Sequence, residues 1–169
     1  MPSDDAAART SPTPDEVATA YHEAGHAVMA LVHGRPVQRV SIKPDERWLG
    51  RCEFRKGRFG AYKDLLETEI LIQLAGLAAE ARHTGRYGWD EAAEDLDVVR
   101  SLLGSRGEND RRADRLERRY LDKAEHILDR PGLWLAVERI AAELLNRTTI
   151  SGRAARHLVE EAAKTRRGR

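Results

Sequence analysis

The stretch His22-Glu23-Ala24-Gly25-His26 decides how this sequence is interpreted, and it lies inside a well-marked helix. The residues Thr13-Pro14-Asp15-Glu16 form a strong helix start, with a capping threonine, a proline in the first turn and a capping-box glutamate. Apolar residues then recur at helical spacing, at Val17, Ala20, Tyr21, Ala24, Ala27, Val28 and Leu31. Because Gly34 and Pro36 follow in the order usual at helix ends, the sequence predicts one helix that carries both histidines.

Two histidines four residues apart project from the same face of a helix, with Cβ atoms about 5–6 Å apart. Both imidazoles can therefore reach one Zn²⁺ at bonds of about 2.0–2.1 Å. Glu23 is then close enough to take a proton from a metal-bound water without ligating the metal. Gly25 lowers helix stability by about 1 kcal/mol relative to alanine, which indicates that another part of the chain passes close by. The motif predicts a zinc site with His22 and His26 as ligands and Glu23 as the general base.

A catalytic zinc needs a third protein ligand, and the acidic segment at residues 89–97 offers candidates. A helix is predicted to begin at Trp89 or Asp90, and carboxylates near a helix N-terminus are favoured by the helix dipole alone. Glu91, Glu94 and Asp95 are all eligible as the ligand. Glu91 and Asp95 would share a helical face, so spacing alone does not choose among the three carboxylates.

The other four histidines are weaker candidates for the metal site. His33 follows His26 by nearly two turns and is expected at a helix end, where it complements the dipole. His83 ends the next predicted helix and is equally suited to be a ligand or a dipole partner. His126 and His157 lie in amphipathic patterns and are interpreted as structural residues.

Composition excludes several classes of function. The 169 residues suit one domain, and their net charge of +1 disfavours binding to nucleic acid or to anionic membranes. The single cysteine, Cys52, excludes an internal disulfide and is expected to be a half-buried strand residue. The sequence shows no bilayer-spanning stretch and no secretory signal, so we expect a cytoplasmic protein without a membrane span.

The remaining pattern predicts a small sheet followed by helices. Residues 37–42 and 51–54 alternate between apolar and polar, which indicates an antiparallel hairpin with a longish loop. Further helices are expected at about residues 62–83, 89–103, 108–129 and 133–146. A last helix is expected to be capped by Thr148-Thr149-Ile150-Ser151 and to end at about residue 164. Residues 1–12 are expected to be disordered. Residues 13–165 are expected to form a single mainly α domain with a small antiparallel sheet.

Several stretches resemble the peptidase domain of the FtsH-type ATP-dependent zinc proteases, the M41 peptidases, and together they span about residues 13–163. Residues 22–28 match the family's His-Glu-Ala-Gly-His-Ala-Val, and residues 40–44 with Leu49-Gly50 match its Val-Ser-Ile-x-Pro … Leu-Gly stretch. The other matching stretches are residues 74–80 (Leu-Gly-Gly-Arg-Ala-Ala-Glu in the family), 93–96 (Ala-Ser-Asn-Asp-Leu) and 149–152 (Thr-Leu-Asp-Gly).

The resemblance implies a fold and a specific site. In that family the aspartate before the leucine is the third zinc ligand, which implies Asp95 beside His22 and His26, with Glu23 as base. The implied fold is a metal-binding helix and a β-hairpin followed by a helical bundle. It also implies an edge strand at about residues 50–54, to which an extended substrate pairs.

The sequence also departs from the family pattern. Ala75 and Leu77 stand where the family has glycine and arginine. Glu94 replaces an asparagine, and this extra carboxylate beside the ligand is expected to alter metal affinity or to compete for the site. No glycine-rich phosphate loop ending in Lys-Ser/Thr is found. The chain is therefore expected to work with a separate ATPase, or to cleave peptides and unstructured segments unaided.

These observations support two hypotheses of different classes. The first is a zinc-dependent endopeptidase that cleaves unfolded proteins or peptides, and the resemblance implies that it assembles as a homo-oligomer. The second is a non-catalytic zinc-binding module that keeps the fold to hold a protein partner. The complete His-Glu-x-x-His motif favours the enzyme, since a scaffold has no need of Glu23.

Overall fold

The computed structural model describes residues 11–56, 64–104 and 109–167, and within them it shows a mainly α fold with a small sheet. The helices are α1 (Pro14–Val32), α2 (Leu65–Thr84), α3 (Ala93–Gly104), α4 (Asp110–Leu128), α5 (Pro131–Arg147) and α6 (Gly152–Arg167). The strands are β1 (Val37–Ser41), β2 (Arg51–Phe54) and β3 (Thr149–Ser151). This architecture confirms the predicted fold class. The predicted disorder of residues 1–12 lies largely outside the described residues.

Helix α1 begins with the predicted capping box. The Thr13 hydroxyl accepts from the Glu16 amide at 3.2 Å, and the Glu16 carboxylate accepts from the Thr13 amide at 2.7 Å. From His22 to Ala30 every residue of α1 is buried, because α2 covers one side of the helix and α5 another. His33 caps the C-terminal end, with its Nδ1 atom 2.9 Å from the Met29 carbonyl oxygen, as predicted for a helix-end histidine.

Helix α2 is the apolar, buried helix that the sequence predicts. Thr68 and every residue from Ile70 to Glu80 except Gln73 are buried, and α1, α3 and α4 pack around the helix. It begins at Leu65, where the Asp64 side chain accepts from the Glu67 amide at 3.0 Å. The predicted start at Tyr62 falls outside the described residues. A Cβ at Gly25 would strike the Ala75 carbonyl oxygen, so the prediction that another element passes close to α1 at this glycine is confirmed.

The sheet has the order β2-β1-β3, with both pairs antiparallel. The β1–β2 pairing confirms the predicted hairpin, and Cys52, half-buried on β2, lies opposite Val40. Strand β3 corrects the sequence prediction, which assigned residues 148–151 to a helix cap alone. The Ser151 hydroxyl does cap α6, accepting from the Ala154 amide at 3.1 Å. The strand was missed because three residues with one buried side chain, Ile150, are too short to show a two-residue period.

Two predicted helix starts are also wrong. Helix α5 begins at Pro131 rather than at residue 133, since proline suits the first helical position. Helix α3 begins at Ala93 rather than at Trp89 or Asp90, and residues 89–92 form turns. The backbone at Gly88, just before these turns, packs against the Glu80 carboxylate. The turns are closed by hydrogen bonds from the Ala92 amide to the Gly88 carbonyl at 3.0 Å and from the Ala93 amide to the Asp90 carbonyl at 3.3 Å, and Glu91 lies outside α3.

Candidate metal centre

The centre is built on the face of α1 that α2 covers. His22, Glu23 and His26 are each at most 8% exposed, so three polar side chains lie in the interior of the domain. Helix α2 makes room for them at Gly76. A Cβ at that position would lie 2.5 Å from Nε2 of His26 and 2.6 Å from Nε2 of His22. The glycine is therefore required for the two imidazoles to lie between the helices.

Asp95, in the first turn of α3, completes a compact group of ligand atoms. Its Oδ2 atom lies 2.9 Å from Nε2 of His22 and 3.3 Å from Nε2 of His26. The two rings are nearly perpendicular, with centroids 4.7 Å apart. Among the described residues, these three form the one group of His, Cys, Asp or Glu side chains that could hold a metal ion, with all ligand atoms within 4.8 Å of one another.

The other two carboxylates considered from the sequence do not join this group. Glu91 and Glu94 are exposed, and both lie along the cleft rather than among the histidine nitrogens. Because Glu91 belongs to a turn before α3, it does not share a helical face with Asp95 as the sequence pattern suggested.

The two ring nitrogens that face away from Asp95 are each hydrogen-bonded to the protein. Nδ1 of His22 lies 2.9 Å from Oε2 of Glu80, and Nδ1 of His26 lies 2.7 Å from the Ile72 carbonyl oxygen. A carbonyl oxygen can only accept, so Nδ1 of His26 carries the proton and Nε2 is left as a lone-pair donor. Partners of this kind orient metal-binding histidines and raise their basicity.

The donor set fits a zinc ion. Zinc favours imidazole nitrogens and carboxylate oxygens in a tetrahedral arrangement, and its catalytic sites use three protein ligands. Ligand atoms at about 2.0–2.2 Å from a tetrahedral zinc are about 3.4 Å apart. The separations from Asp95 to the two histidines, 2.9 and 3.3 Å, are close to that spacing. His22, His26 and Asp95 are therefore the residues that could hold zinc.

Proximity of these groups shifts their pKa values strongly. Burial opposes protonation of His22, but its hydrogen bonds to Asp95 and Glu80 outweigh burial and raise its pKa to about 10. Burial likewise opposes protonation of His26, and the charge of Asp95 still raises its pKa. Burial favours the neutral form of Asp95, yet the two histidines hold the pKa of that carboxyl well below its usual range. Zinc binding must displace these protons from the imidazoles.

Glu23 lies beside His22, His26 and Asp95 but is not part of this group. Burial raises the pKa of its carboxyl group, and the neighbouring histidines and a hydrogen bond from the Cys52 amide act against this shift. Gly50 also packs against it, since a Cβ there would lie 2.9 Å from Cγ of Glu23 and 2.7 Å from Cγ2 of Thr19. The segment from Gly50 to Cys52 therefore holds this carboxylate in place.

The centre opens into a cleft of about 970 Å³. The metal-binding face of α1 forms its floor, and β2 with the preceding loop forms one wall. The segment from the end of α2 to the start of α3 forms the other wall, which includes His83, Asp90, Glu91 and Glu94. His83 stacks on Tyr21, with ring centroids 3.7 Å apart, and is not part of the metal group.

Several residues that shape the candidate site were not predicted from the sequence. No role was predicted for Glu80, and its hydrogen bond to His22 joins residues 58 positions apart. A buried carboxylate needs a partner, which is the signal that singles it out. The roles of Gly76, Gly50 and the Cys52 amide depend on packing between elements, which no local pattern in the sequence reveals.

Some known proteins are similar in sequence to this chain. No protein-family model matches the chain. The ATP-dependent zinc metalloprotease FtsH of Chlamydia trachomatis serovar L2 is 32% identical over 99 residues, which cover 54% of this chain and 11% of the relative. The ATP-dependent zinc metalloprotease FtsH 1 of Symbiobacterium thermophilum is 34% identical over an alignment of 182 residues. That alignment covers 86% of this chain and 29% of the relative. This chain contains an FtsH-related region.

A third relative is more similar over a shorter stretch. The FtsH of Cupriavidus metallidurans is 43% identical over 67 residues, which cover 37% of this chain. The chain spans 10 to 29% of the length of these three curated relatives. In the part of the chain that the structure describes, no helix is long and apolar enough to cross a membrane.

Proposed function

We propose that this protein is a zinc-dependent metalloendopeptidase with the centre of His22, His26 and Asp95 as its active site. The observation that carries the proposal is the arrangement of the two Nε2 atoms around Oδ2 of Asp95, with Glu23 beside them in an open cleft. The names of the FtsH relatives support the choice of zinc and of protein as the substrate. These properties are transferred to this chain as part of the proposal.

Each residue has a distinct role in this reaction. A bound zinc would polarise the scissile carbonyl and lower the pKa of the attacking water. Glu23 accepts the proton of that water and later donates it to the leaving amine. Burial raises the pKa of Glu23, which brings the carboxyl group closer to the range suited to proton transfer. Glu80 and the Ile72 carbonyl keep the imidazoles oriented toward the metal position.

The proposal also covers the substrate, the partners and the cellular location of the protein. An extended segment of an unfolded protein or peptide would pair with the edge of β2, which forms one wall of the cleft. A separate ATPase that delivers unfolded chains, assembly into a homo-oligomer and a cytoplasmic location belong to the same proposal. The FtsH relatives motivate the separate ATPase, since the word ATP-dependent is part of their names. Assembly into a homo-oligomer rests on the resemblance to the M41 peptidases.

A cleavage assay with a conservative variant tests the function. Glu23→Gln keeps the size of the side chain but removes the proton acceptor, so cleavage of casein and of short unstructured peptides should fall by at least 100-fold while zinc content is unchanged. Glu160→Gln, an exposed change on α6, is the matched control. Cleavage by the Glu23→Gln protein at the unaltered rate would contradict the role of Glu23. A zinc-loaded wild-type protein that cleaves nothing would favour the non-catalytic binding module.

A further inference from the structure

Charged side chains line both walls of the cleft. Arg47 and Arg51 line the wall formed by β2 and its preceding loop, and the other wall carries Asp90, Glu91 and Glu94 together with Arg86. All six side chains are exposed, and none has an oppositely charged partner among the described residues. Charges that have no internal partner are available to a ligand lying between the walls.

Strand β2 has a free edge and begins beside Glu23. Strand β1 occupies the other edge of β2, so one edge is unpaired within the described residues. Gly50, the residue before β2, packs against the Glu23 side chain, since a Cβ there would lie 2.9 Å from its Cγ atom. An extended chain that pairs with β2 would therefore run past Glu23 and the metal ligands.

Alternation along β2 decides which side chains such a chain would meet. Gly50, the residue before β2, packs against Thr19 and Glu23 of α1, so the face that it shares with Cys52 is directed at α1. Successive residues of a strand point to opposite faces, which places Arg51 on the outer face. A paired substrate residue directly opposite Arg51 would present its side chain on that same outer face, about 4.5–5.5 Å away at the Cβ atoms.

Arg51 has an aromatic neighbour. The centre of the Trp48 ring lies 5.9 Å from the guanidinium carbon of Arg51 and 5.6 Å from that of Arg47. The loop that carries Trp48 is ordered by Asp45, whose carboxylate accepts from the amides of Arg47 and Trp48 at 2.8 Å each. Glu53, the nearest acidic residue on the same face of β2, is paired with Arg39 at 2.6 Å. Arg51 is thus left to a substrate carboxylate.

We propose that Arg51 is a specificity-determining residue that selects substrates with an aspartate or glutamate at the position paired opposite it. This inference rests on the proposed peptidase function and names the substrate class. Opposite charges directly across two strands stabilise the pair and like charges destabilise it, so an Asp peptide should be preferred over a Lys peptide by about fivefold.

The preference should be positional. Moving the charged residue by one place turns its side chain to the other face of the substrate strand, away from Arg51. A series of ten-residue peptides, each with a single Asp or Lys in a neutral background, therefore maps the contact. The cleavage site, read by mass spectrometry, gives the register of each peptide, and the ratio of kcat/KM for Asp over Lys is compared at every position.

Two variants and a second measurement complete the test. Arg51→Glu should reverse the Asp preference at one position, and Arg55→Glu, the same charge change at an exposed residue outside the cleft, should keep it. Affinities of the zinc-loaded Glu23→Gln protein for fluorescent versions of the same peptides, with and without Arg51→Glu, give an independent ratio. If the wild type cleaves nothing, the peptidase proposal fails and these affinities still decide the preference. An Asp-to-Lys ratio that Arg51→Glu leaves unchanged, or no peptide binding at all, would overturn the inference.

Discussion

Nδ1 of His22 lies 2.9 Å from Oε2 of Glu80, a carboxylate buried within the apolar helix α2. The other nitrogen of the same ring faces Asp95 at 2.9 Å, so one imidazole bridges two carboxylates of different helices. This pairing explains why a charged residue lies in the middle of the domain. The hydrogen bond to Glu80 engages Nδ1 of His22 and leaves Nε2 for the proposed metal.

Removing Glu80 should weaken zinc binding. Loss of a hydrogen-bond partner behind a metal-binding histidine typically costs 10–100-fold in affinity, and we expect a loss of that order for Glu80→Ala. Glu80→Gln should lose less, because its amide oxygen still accepts from Nδ1 of His22. Competition with a chromophoric chelator measures both affinities. Equal affinity of the Glu80→Ala and unaltered proteins would show that the hydrogen bond does not act on the metal.

The third ligand can be assigned by zinc content. Asp95→Ala should leave two histidines as the protein ligands and lose most of the bound zinc after gel filtration. Glu91→Ala, a change at an exposed turn residue on the same wall of the cleft, should keep one zinc per chain. Elemental analysis measures both. Full zinc content in the Asp95→Ala protein would reject Asp95 as the ligand.

The stability of chelator-treated protein should fall between neutral and alkaline pH. The pKa of His22 is raised to about 10 by its two carboxylate partners, against 6.5 without them. Its contribution to the free energy of unfolding is therefore complete below pH 6.5 and is lost as the pH rises toward 10. Asp95, whose pKa is depressed, contributes across this whole range and loses its contribution only in acid.

Urea denaturation at pH 6 and pH 9 tests this dependence. Zinc-loaded protein provides the control, because a metal-bound imidazole nitrogen cannot carry the proton and the trend should vanish or reverse. Chelator-treated protein that is equally stable at both pH values would contradict the assigned role of the His22 pair.

Gly76→Ala should disrupt the centre directly. The added Cβ would lie 2.5–2.6 Å from the Nε2 atoms of His26 and His22, so the rings must move away from the metal position. Overpacking of this kind costs about 1–3 kcal/mol, and zinc affinity should fall at least 10-fold. Gly104→Ala, where the new Cβ would meet nothing within 4 Å, is the matched control. Thermal denaturation and zinc titration measure both effects, and unchanged zinc affinity in Gly76→Ala would contradict the geometry.

Local patterns were sufficient to predict α1 and the two histidines on it. The capping box, the helical spacing and the four-residue separation of His22 and His26 are all properties of one short segment. The hairpin was predicted for the same reason, since strand alternation and the loop are local features. Burial of the motif against α2 is a contact between two helices. In the sequence, Gly25 alone indicates it, because a glycine inside a helix suggests a close neighbour.

Contacts between distant segments could not be predicted in the same way. Helix α3 begins at Ala93 after hydrogen-bonded turns at residues 89–92, and Gly88 just before these turns packs on Glu80 of another helix. Glu91 therefore lies off the face of Asp95, and a packing contact of this kind has no local sequence pattern. Strand β3 depends on a partner more than 100 positions earlier in the chain, as the 2.7 Å hydrogen bond between the hydroxyls of Ser41 and Thr149 shows. A three-residue segment has no periodicity that would reveal such a partner.

The position of β3 beside β1 has a consequence for the order in which the protein assembles. During synthesis, β1 and β2 emerge long before residues 149–151, so until then one edge of β1 has no strand beside it. An uncovered strand edge can recruit a second chain and lead to aggregation. Closing a connection of this length is also slow. Of the described strands, β3 is synthesised last, and it covers the free edge of β1. Nascent chains stalled before residue 149 should therefore be the form most prone to self-association.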